Sequence, residues 1–345
     1  AAGTYKPSVI RGGPGDRFKT FQLINGVALY GGFDPSVGDV AWEDRDWENN
    51  VTILSGDIGT AGDTSDNCHH VFYHPAGTDL DSTAILDGFT VSGGKANGGG
   101  DHNHGAGMYN DASSPTLANC TFDGNTALLG GGMYNSEASP AVTGCTFSGN
   151  TAEYGDGGGM YNVADSSPAL TDCTFEGNSA TSSFGGGGSG GGIYNEGSSP
   201  TLNGCTFSGN SASRGGGMSN INSSSPDLVN CAFARNDGGS QGGGIYNRES
   251  SPSLTNCTFE GNSASSGGGI YNRQSSSPVL TNSILWGDTT EEIYNDDSSP
   301  VVTYSDIQGG YPGEGNIDAD PLFVDAGTGD LHLSGCSPAI DAGDN

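Results

Sequence analysis

Basic side chains are scarce in this chain: ten lysines and arginines stand against 40 aspartates and glutamates, a formal net charge of -30. So negative a surface repels phosphate backbones and anionic membranes, and no Lys/Arg cluster interrupts it, which argues against nucleic acid as a partner. Long apolar runs are missing as well. The most apolar windows, such as FQLINGVALYGGF, are strand-length, so no transmembrane segment is expected. Sustained apolar spacing at three and four residues is absent, and charged residues make up only 14% of a chain with 62 glycines. Each glycine in a helix interior costs about 1 kcal/mol relative to alanine, so a helical bundle is excluded and strands and turns are expected throughout. No export signal is visible at AAGTYKPSVI, so one is expected either to have been removed upstream or never to have been part of this sequence.

What the chain does have is a repeat. Cysteines recur at 120, 145, 173, 205, 231 and 257, and the series continues at Ser283 and Ser305. Two residues after each cysteine stands Phe122, Phe147, Phe175, Phe207, Phe233 or Phe259, then Leu285. Asn125, Asn150, Asn178, Asn210, Asn236 and Asn262 follow three residues later, and a glycine triplet with Met133, Met160, Ile193, Met218, Ile245 or Ile270 closes each unit. Successive cysteines lie 25 to 32 residues apart, too far for hairpins. The spacing predicts an all-β right-handed parallel β-helix, a solenoid with coils of about 25 residues, each turn of chain lying on the last. Cys and Phe, two apart, share the inward face, Asn stacks at a turn, and glycine makes the corners. One continuous rod is expected: coils with loop insertions over 1–100, regular repeats over 101–305 and a C-terminal coil or cap over 306–345. Most length variation falls between Asn and the glycine triplet, four residues after Asn125 and eleven after Asn178, so insertions should project from one edge.

FEGNSASSGGGIYN resembles the repeat of polymorphic outer-membrane proteins, which pair Phe-x-x-Asn with Gly-Gly-x-Ile. VALYGGFDPS, VTILSGDIG, TAILDGFTVSGG and the C-terminal DADPLFVDAGTGDLHLSGCSPAIDAGDN resemble a wider set of prokaryotic surface proteins with right-handed β-helix repeats. The resemblance covers almost the whole chain. It implies a segment of a longer exported polypeptide at the cell surface or outside the cell, and implies shape more than activity.

Six cysteines in one file have parallel Cβ vectors, so they are expected to be buried reduced thiols, and Cys68 and Cys336 lie too many coils apart to pair. Three residues after each cysteine the column reads Asp123, Ser148, Glu176, Ser208, Ala234 and Glu260, which keeps acids off adjacent coils. Arg248 and Arg273 fall on adjacent coils with Asp296 next in line.

No catalytic residues are expected. A pectate-lyase-like site needs several carboxylates on consecutive coils to hold Ca²⁺, and no outward column supplies them; of the polygalacturonase set only Asp296-Asp297 is present. No cofactor or metal is expected either. EDRDWEN at 43–49 and the tail around Asp318 and Asp320 have the oxygen ligands calcium takes, and CHH at 68–70 with DHNH at 101–104 has the minimum for zinc or copper, but solvated loop and strand readings account for both. The candidate ligand face is the tyrosine column that follows each inward Met or Ile, Tyr134, Tyr161, Tyr194, Tyr246 and Tyr271 among them, interrupted by Ser219. Alternation turns these rings outward, where sugar rings stack; the other reading packs each ring under the neighbouring loop with its hydroxyl hydrogen-bonded. Phe184, in the longest insert, is a contact residue or a plug against the rod. Two functions remain open: a surface structural or adhesion module, with glycans, other surface proteins or its own copies as partners, and a polysaccharide lyase or glycosidase.

Overall fold

The computed structural model describes residues 1–38, 41–181, 187–340 and 342–343. Among the described residues three parallel sheets run the length of the rod, with eleven, nine and ten strands, and each regular coil contributes one short strand to each. The phenylalanine sheet holds strands such as Thr146–Ser148, the tyrosine sheet Met133–Ser136 and the leucine sheet Ala141–Thr143. Pairing is in register throughout: Phe147 lies opposite Phe175, Tyr134 opposite Tyr161 and Val142 opposite Leu170. The phenylalanine rings stack nearly parallel with centroids 4.5–4.9 Å apart. Repeat spacing thus becomes vertical contact, and the parallel β-helix follows from it.

The loop expected to carry insertions is itself partly a sheet. Lys95–Ala96, Thr126–Ala127, Thr151–Glu153 and Ser179–Thr181 pair as a short fourth sheet on that edge. Phe184 lies outside the described residues.

Two files of asparagine run through the interior. In the file read from the sequence, Asn210 accepts from both the backbone and side-chain nitrogens of Asn178 (3.0 and 2.9 Å) and donates to Phe175 O and Asn236 Oδ1 (2.9 Å each). A second file hangs inward from the tyrosine sheet. It begins at His74 Nδ1, which meets Asn110 Oδ1 at 2.8 Å; each amide then donates to the next, through Asn135, Asn162, Asn195, Asn220, Asn247 and Asn272, until Asn295 donates to the Tyr311 hydroxyl. All these asparagines but Asn295 are fully buried, and in both files each amide nitrogen donates to the next member toward the C-terminal end.

Glycine is required where coils touch. Gly130 adopts φ 62, and a Cβ on Gly132 would meet the Gly159 carbonyl oxygen at 2.5 Å and the Phe147 ring at 3.0 Å. The residue before each file cysteine also has positive φ, filled by Asn119, Gly144, Asp172, Gly204, Asn230 and Asn256.

All eight cysteines are free: the six in the file and Cys68 are buried, and Cys336 is exposed. Burial holds the Cys145 thiol well above its ordinary pKa and pushes Cys68 up to about 12. Arg248 lies opposite Arg273, and Arg273 opposite Asp296, at 3.9 Å from Nε to Oδ2.

The two ends of the rod differ. At the C-terminal end, residues 309–322 fold over the last coil: Tyr304 N donates to Glu314 O, Ser305 N to Asn316 Oδ1 and Ile307 N to Ile317 O. Beyond this cap Phe323–Asp325 and Asp330–Leu333 form an antiparallel hairpin. At the other end Ala28–Tyr30 is an edge strand with Leu29 and Tyr30 exposed.

Two measurements check this account. Asn210→Ala removes four side-chain hydrogen bonds and orphans buried partners, so denaturant unfolding should show a loss of roughly 3 kcal/mol or more, whereas exposed Asn203→Ala should lie within about 0.5 kcal/mol of the native chain. Alkylation of the native protein should label Cys336 alone, and all eight cysteines should react once it is unfolded.

Candidate functional site

The tyrosine side chains leave the coil on its outer side, as alternation requires, yet they are not free faces. Tyr161, Tyr194, Tyr246 and Tyr271 keep only 6, 6, 3 and 5% of their surface. Each ring lies on its neighbour in the file: Tyr134 to Tyr161 at 5.3 Å, Tyr161 to Tyr194 at 4.8 Å and Tyr246 to Tyr271 at 5.7 Å between centroids. Leu129, Val163 and Ile221 pack against the same cluster. The Tyr161 hydroxyl donates to Glu196 Oε2 at 3.0 Å. Burial raises the phenol pKa of Tyr161, Tyr194 and Tyr271, and that of Tyr134 to about 12. The column of open aromatic faces expected from alternation is therefore corrected: alternation fixes the side of the sheet, and stacking with loop cover then removes the exposure. Ser219 interrupts the file, fully buried, with its Oγ unpartnered.

The histidines converge only in part. His70 Nε2 meets His102 Nδ1 at 3.0 Å, while His70 Nδ1 faces the Gly105 carbonyl at 3.0 Å. His104 instead stacks on Tyr134 at 4.7 Å. Among the described residues no group of three or more His, Cys, Asp or Glu side chains is arranged to hold a metal ion. In EDRDWEN the polar groups meet partners of their own. Arg45 pairs with Asp87 at 2.5 Å, donates to Gly31 O and lies over the Trp47, Trp42 and Tyr30 rings, while Asp44 accepts from Ala41 N and Asp46 from Asn49. In the tail, Asp318 accepts from Gly309 N and Asp320 from Leu322 N.

A groove that the repeat pattern does not announce lies where the C-terminal hairpin folds back across the phenylalanine sheet. It encloses about 900 Å³ between the outward residues of three coils and Thr328, Gly329, Asp330, Leu331 and His332 of the hairpin. Its floor includes Ala232 and Ala234, where the preceding coil has Thr206 and Ser208, so the surface is low there. Glu176 and Arg235 stand at the rim. Arg235 has φ 55 at a corner where Gly124, Gly149, Gly177, Gly209 and Gly261 stand in the other repeats. A non-glycine residue in that region is strained, and such strain clusters at functional sites. Its guanidinium reaches across the groove and donates to the Ala326 carbonyl, holding the hairpin in place. His332 Nδ1 lies 2.5 Å from Asp330 Oδ1. The sequence signal was CAFARN, with Ala for Thr and Arg for Gly; the partner hairpin, some 90 residues on, gave none.

With this geometry in place, comparison with known families is decisive for the architecture. The family described as "Right handed beta helix region" matches residues 65–233 and 191–315. The chain belongs to the right-handed β-helix family. The matched residues contain the files, the groove floor and Arg235. No curated protein matches this right-handed β-helix chain. Among the described residues, no helix is long and apolar enough to cross a membrane.

The head of the second asparagine file makes stability pH-dependent. His74 is fully buried; Leu23 N donates to its Nε2 at 3.1 Å, so its proton sits on Nδ1 and is donated to Asn110. Burial lowers the His74 pKa to about 4 and that of His70 to about 3. A histidine kept neutral in the fold contributes its full stability above the unfolded value of about 6.5 and loses it as pH falls toward the folded value. Unfolding free energy should therefore drop between pH 6.5 and 4, by roughly 2 kcal/mol from His74 alone at pH 5. His74→Gln, which can keep both hydrogen bonds, should flatten that slope by about one proton in a pH series of denaturant melts.

Proposed function

We propose that the chain is a surface-displayed β-helical module that binds a hydroxyl-rich polymer, a polysaccharide, in the groove beneath the C-terminal hairpin. The observation that carries this reading is the floor of Ala232 and Ala234 rimmed by Glu176, Arg235, Asp330 and His332. Long straight rods with a repeated outer face suit extended ligands, because a polymer running along or across the coils meets the same spacing many times. A guanidinium and carboxylates beside backbone and hydroxyl groups are the set that fixes sugar hydroxyls. The net charge of -30 favours neutral glycans over polyanions. Resemblance of the repeat to polymorphic outer-membrane proteins supports the surface location and an adhesive role.

The tyrosine file supports the groove indirectly. With its ring faces stacked on one another, it serves as packing along the rod and offers a sugar only ring edges and its end at Tyr294, which is 36% exposed.

A glycan array tests the reading. Wild-type binding should fall on the order of tenfold or more in Arg235→Gly, which removes both a charged donor at the rim, worth about 1.5–3 kcal/mol, and the bond that holds the hairpin over the groove. That variant carries the glycine found at the same corner in other coils, so circular dichroism should be unchanged. Equal binding by the two proteins would remove the groove as the site, and turnover of a bound glycan that Arg235→Gly abolishes would replace adhesion with a lyase or glycosidase.

A further inference from the structure

The coil from Ser283 to Asp296 departs from the repeat at three linked positions. Asp288 stands where the file has asparagine, Leu285 where it has phenylalanine, and Glu292 where it has the third glycine of the triplet. The last correspondence is fixed by the backbone: Ile270 N donates to Glu292 O as Ile245 N donates to Gly269 O. In earlier coils a Cβ at this glycine would point inward at the phenylalanine ring and the asparagine of the following coil, as on Gly132. Glu292 therefore sends its side chain inward, where the following coil has Ile307 in the phenylalanine column, and its Oε1 turns back to the Asp288 backbone nitrogen.

The result is two carboxylates in the interior, 8 and 6% exposed, at the end of the first asparagine file. Asp288 Oδ1 accepts from Asn262 N at 2.6 Å and Asn262 Nδ2 at 2.9 Å, and Glu292 Oε1 accepts from Asp288 N at 3.3 Å. Asp288 Oδ2 and Glu292 Oε2 are buried with no hydrogen-bond partner among the described residues. No lysine, arginine or histidine forms an ion pair with either among the described residues. Both oxygens belong to residues lining a cavity of about 490 Å³, together with Thr290, Glu291, Gln308 and Tyr311.

Two uncompensated carboxylates at such depth need a positive charge between them or a shared proton. Burial, which raises the pKa of both carboxyls, favours the proton, and the file favours the cation. Each amide donates one N–H along the file toward Asp288 and the other to a phenylalanine carbonyl of the previous coil, so what favours the anionic carboxylate is the pair of bonds that Asn262 donates to Asp288 Oδ1 at the end of the file. We propose that Asp288 and Glu292 form a divalent-cation site, filled by calcium, at the donor end of the first asparagine file. Calcium takes six to eight oxygens in irregular geometry, which two carboxylates, nearby carbonyls and water from the cavity can supply, whereas magnesium demands a strict octahedron. The ion stitches the last regular coil to the cap, since Gly310 and Tyr311 of the cap line the same cavity.

Calorimetric titration of calcium into the full chain tests this, beside Asp288→Asn, which restores the file's own residue, and Glu292→Gln. The wild type should show one tight site per chain above the weak background of its acidic surface, and its melting temperature should rise with calcium. Both variants should lose that site, with affinity at least about tenfold weaker, and their melting temperatures should not respond. Binding by Asp288→Asn equal to wild type would assign the ion to the surface. A wild type with no tight site, whose stability falls with rising pH whether or not calcium is present, would show that the pair holds a proton. Either result overturns the proposal.

Discussion

The structure depends on one constraint: the side-chain amides must hydrogen-bond along the rod with the same period as the backbone. Strands stack at about 4.8 Å, which is also the distance over which one asparagine amide reaches the next. In the file that ends at Asp288, each asparagine satisfies its own amide, the backbone nitrogen of the previous asparagine and a phenylalanine carbonyl in the previous coil. A slip of one residue between coils would bury all of these groups unpaired, at a penalty far above that of a misplaced apolar side chain. The phenylalanine, methionine and cysteine files supply apolar burial, but they tolerate small shifts. Register comes from the amides.

Because the frame is so regular, its specific chemistry lies in its departures. Arg235 replaces a corner glycine and anchors the hairpin, Ala232 and Ala234 lower the floor below it, and Asp288 with Glu292 replaces asparagine and glycine at the last full coil. Each change would be unfavourable in an ordinary coil, since it introduces strain, lost packing or buried charge. Such local conflicts mark the places where a repeat does something other than stack.

The files were legible in the sequence because residues a fixed distance apart become neighbours with no further information, as Phe147 and Phe175 show. The second asparagine file was legible in the same way, in the MYN and IYN triplets, yet the adjoining tyrosines drew the functional reading toward themselves. Tyr161 and Tyr246 show the limit of alternation: it gives the face of a strand, while burial depends on the loop and the neighbouring ring. The groove was illegible for a different reason. It is closed by a hairpin about 90 residues beyond Arg235, a contact set by the path of the chain after the cap and by no period in the sequence. Asp288 was visible as a broken column, but Glu292 becomes its partner only once the glycine it replaces is known to face inward.

The central claim is that successive coils lie flat on one another in register, and a pulsed electron spin distance measurement tests it most directly. Ala141 and Val301 are exposed in one column, six register steps apart through Ala169, Thr201, Asp227, Ser253 and Val279. Spin labels on cysteines placed at these two positions, with Cys336 replaced by serine, should give a single narrow distribution near 29 Å, six steps of about 4.8 Å. A broad distribution, or a maximum far from that value, would contradict the stacked files and with them the groove and the carboxylate pair that the files position.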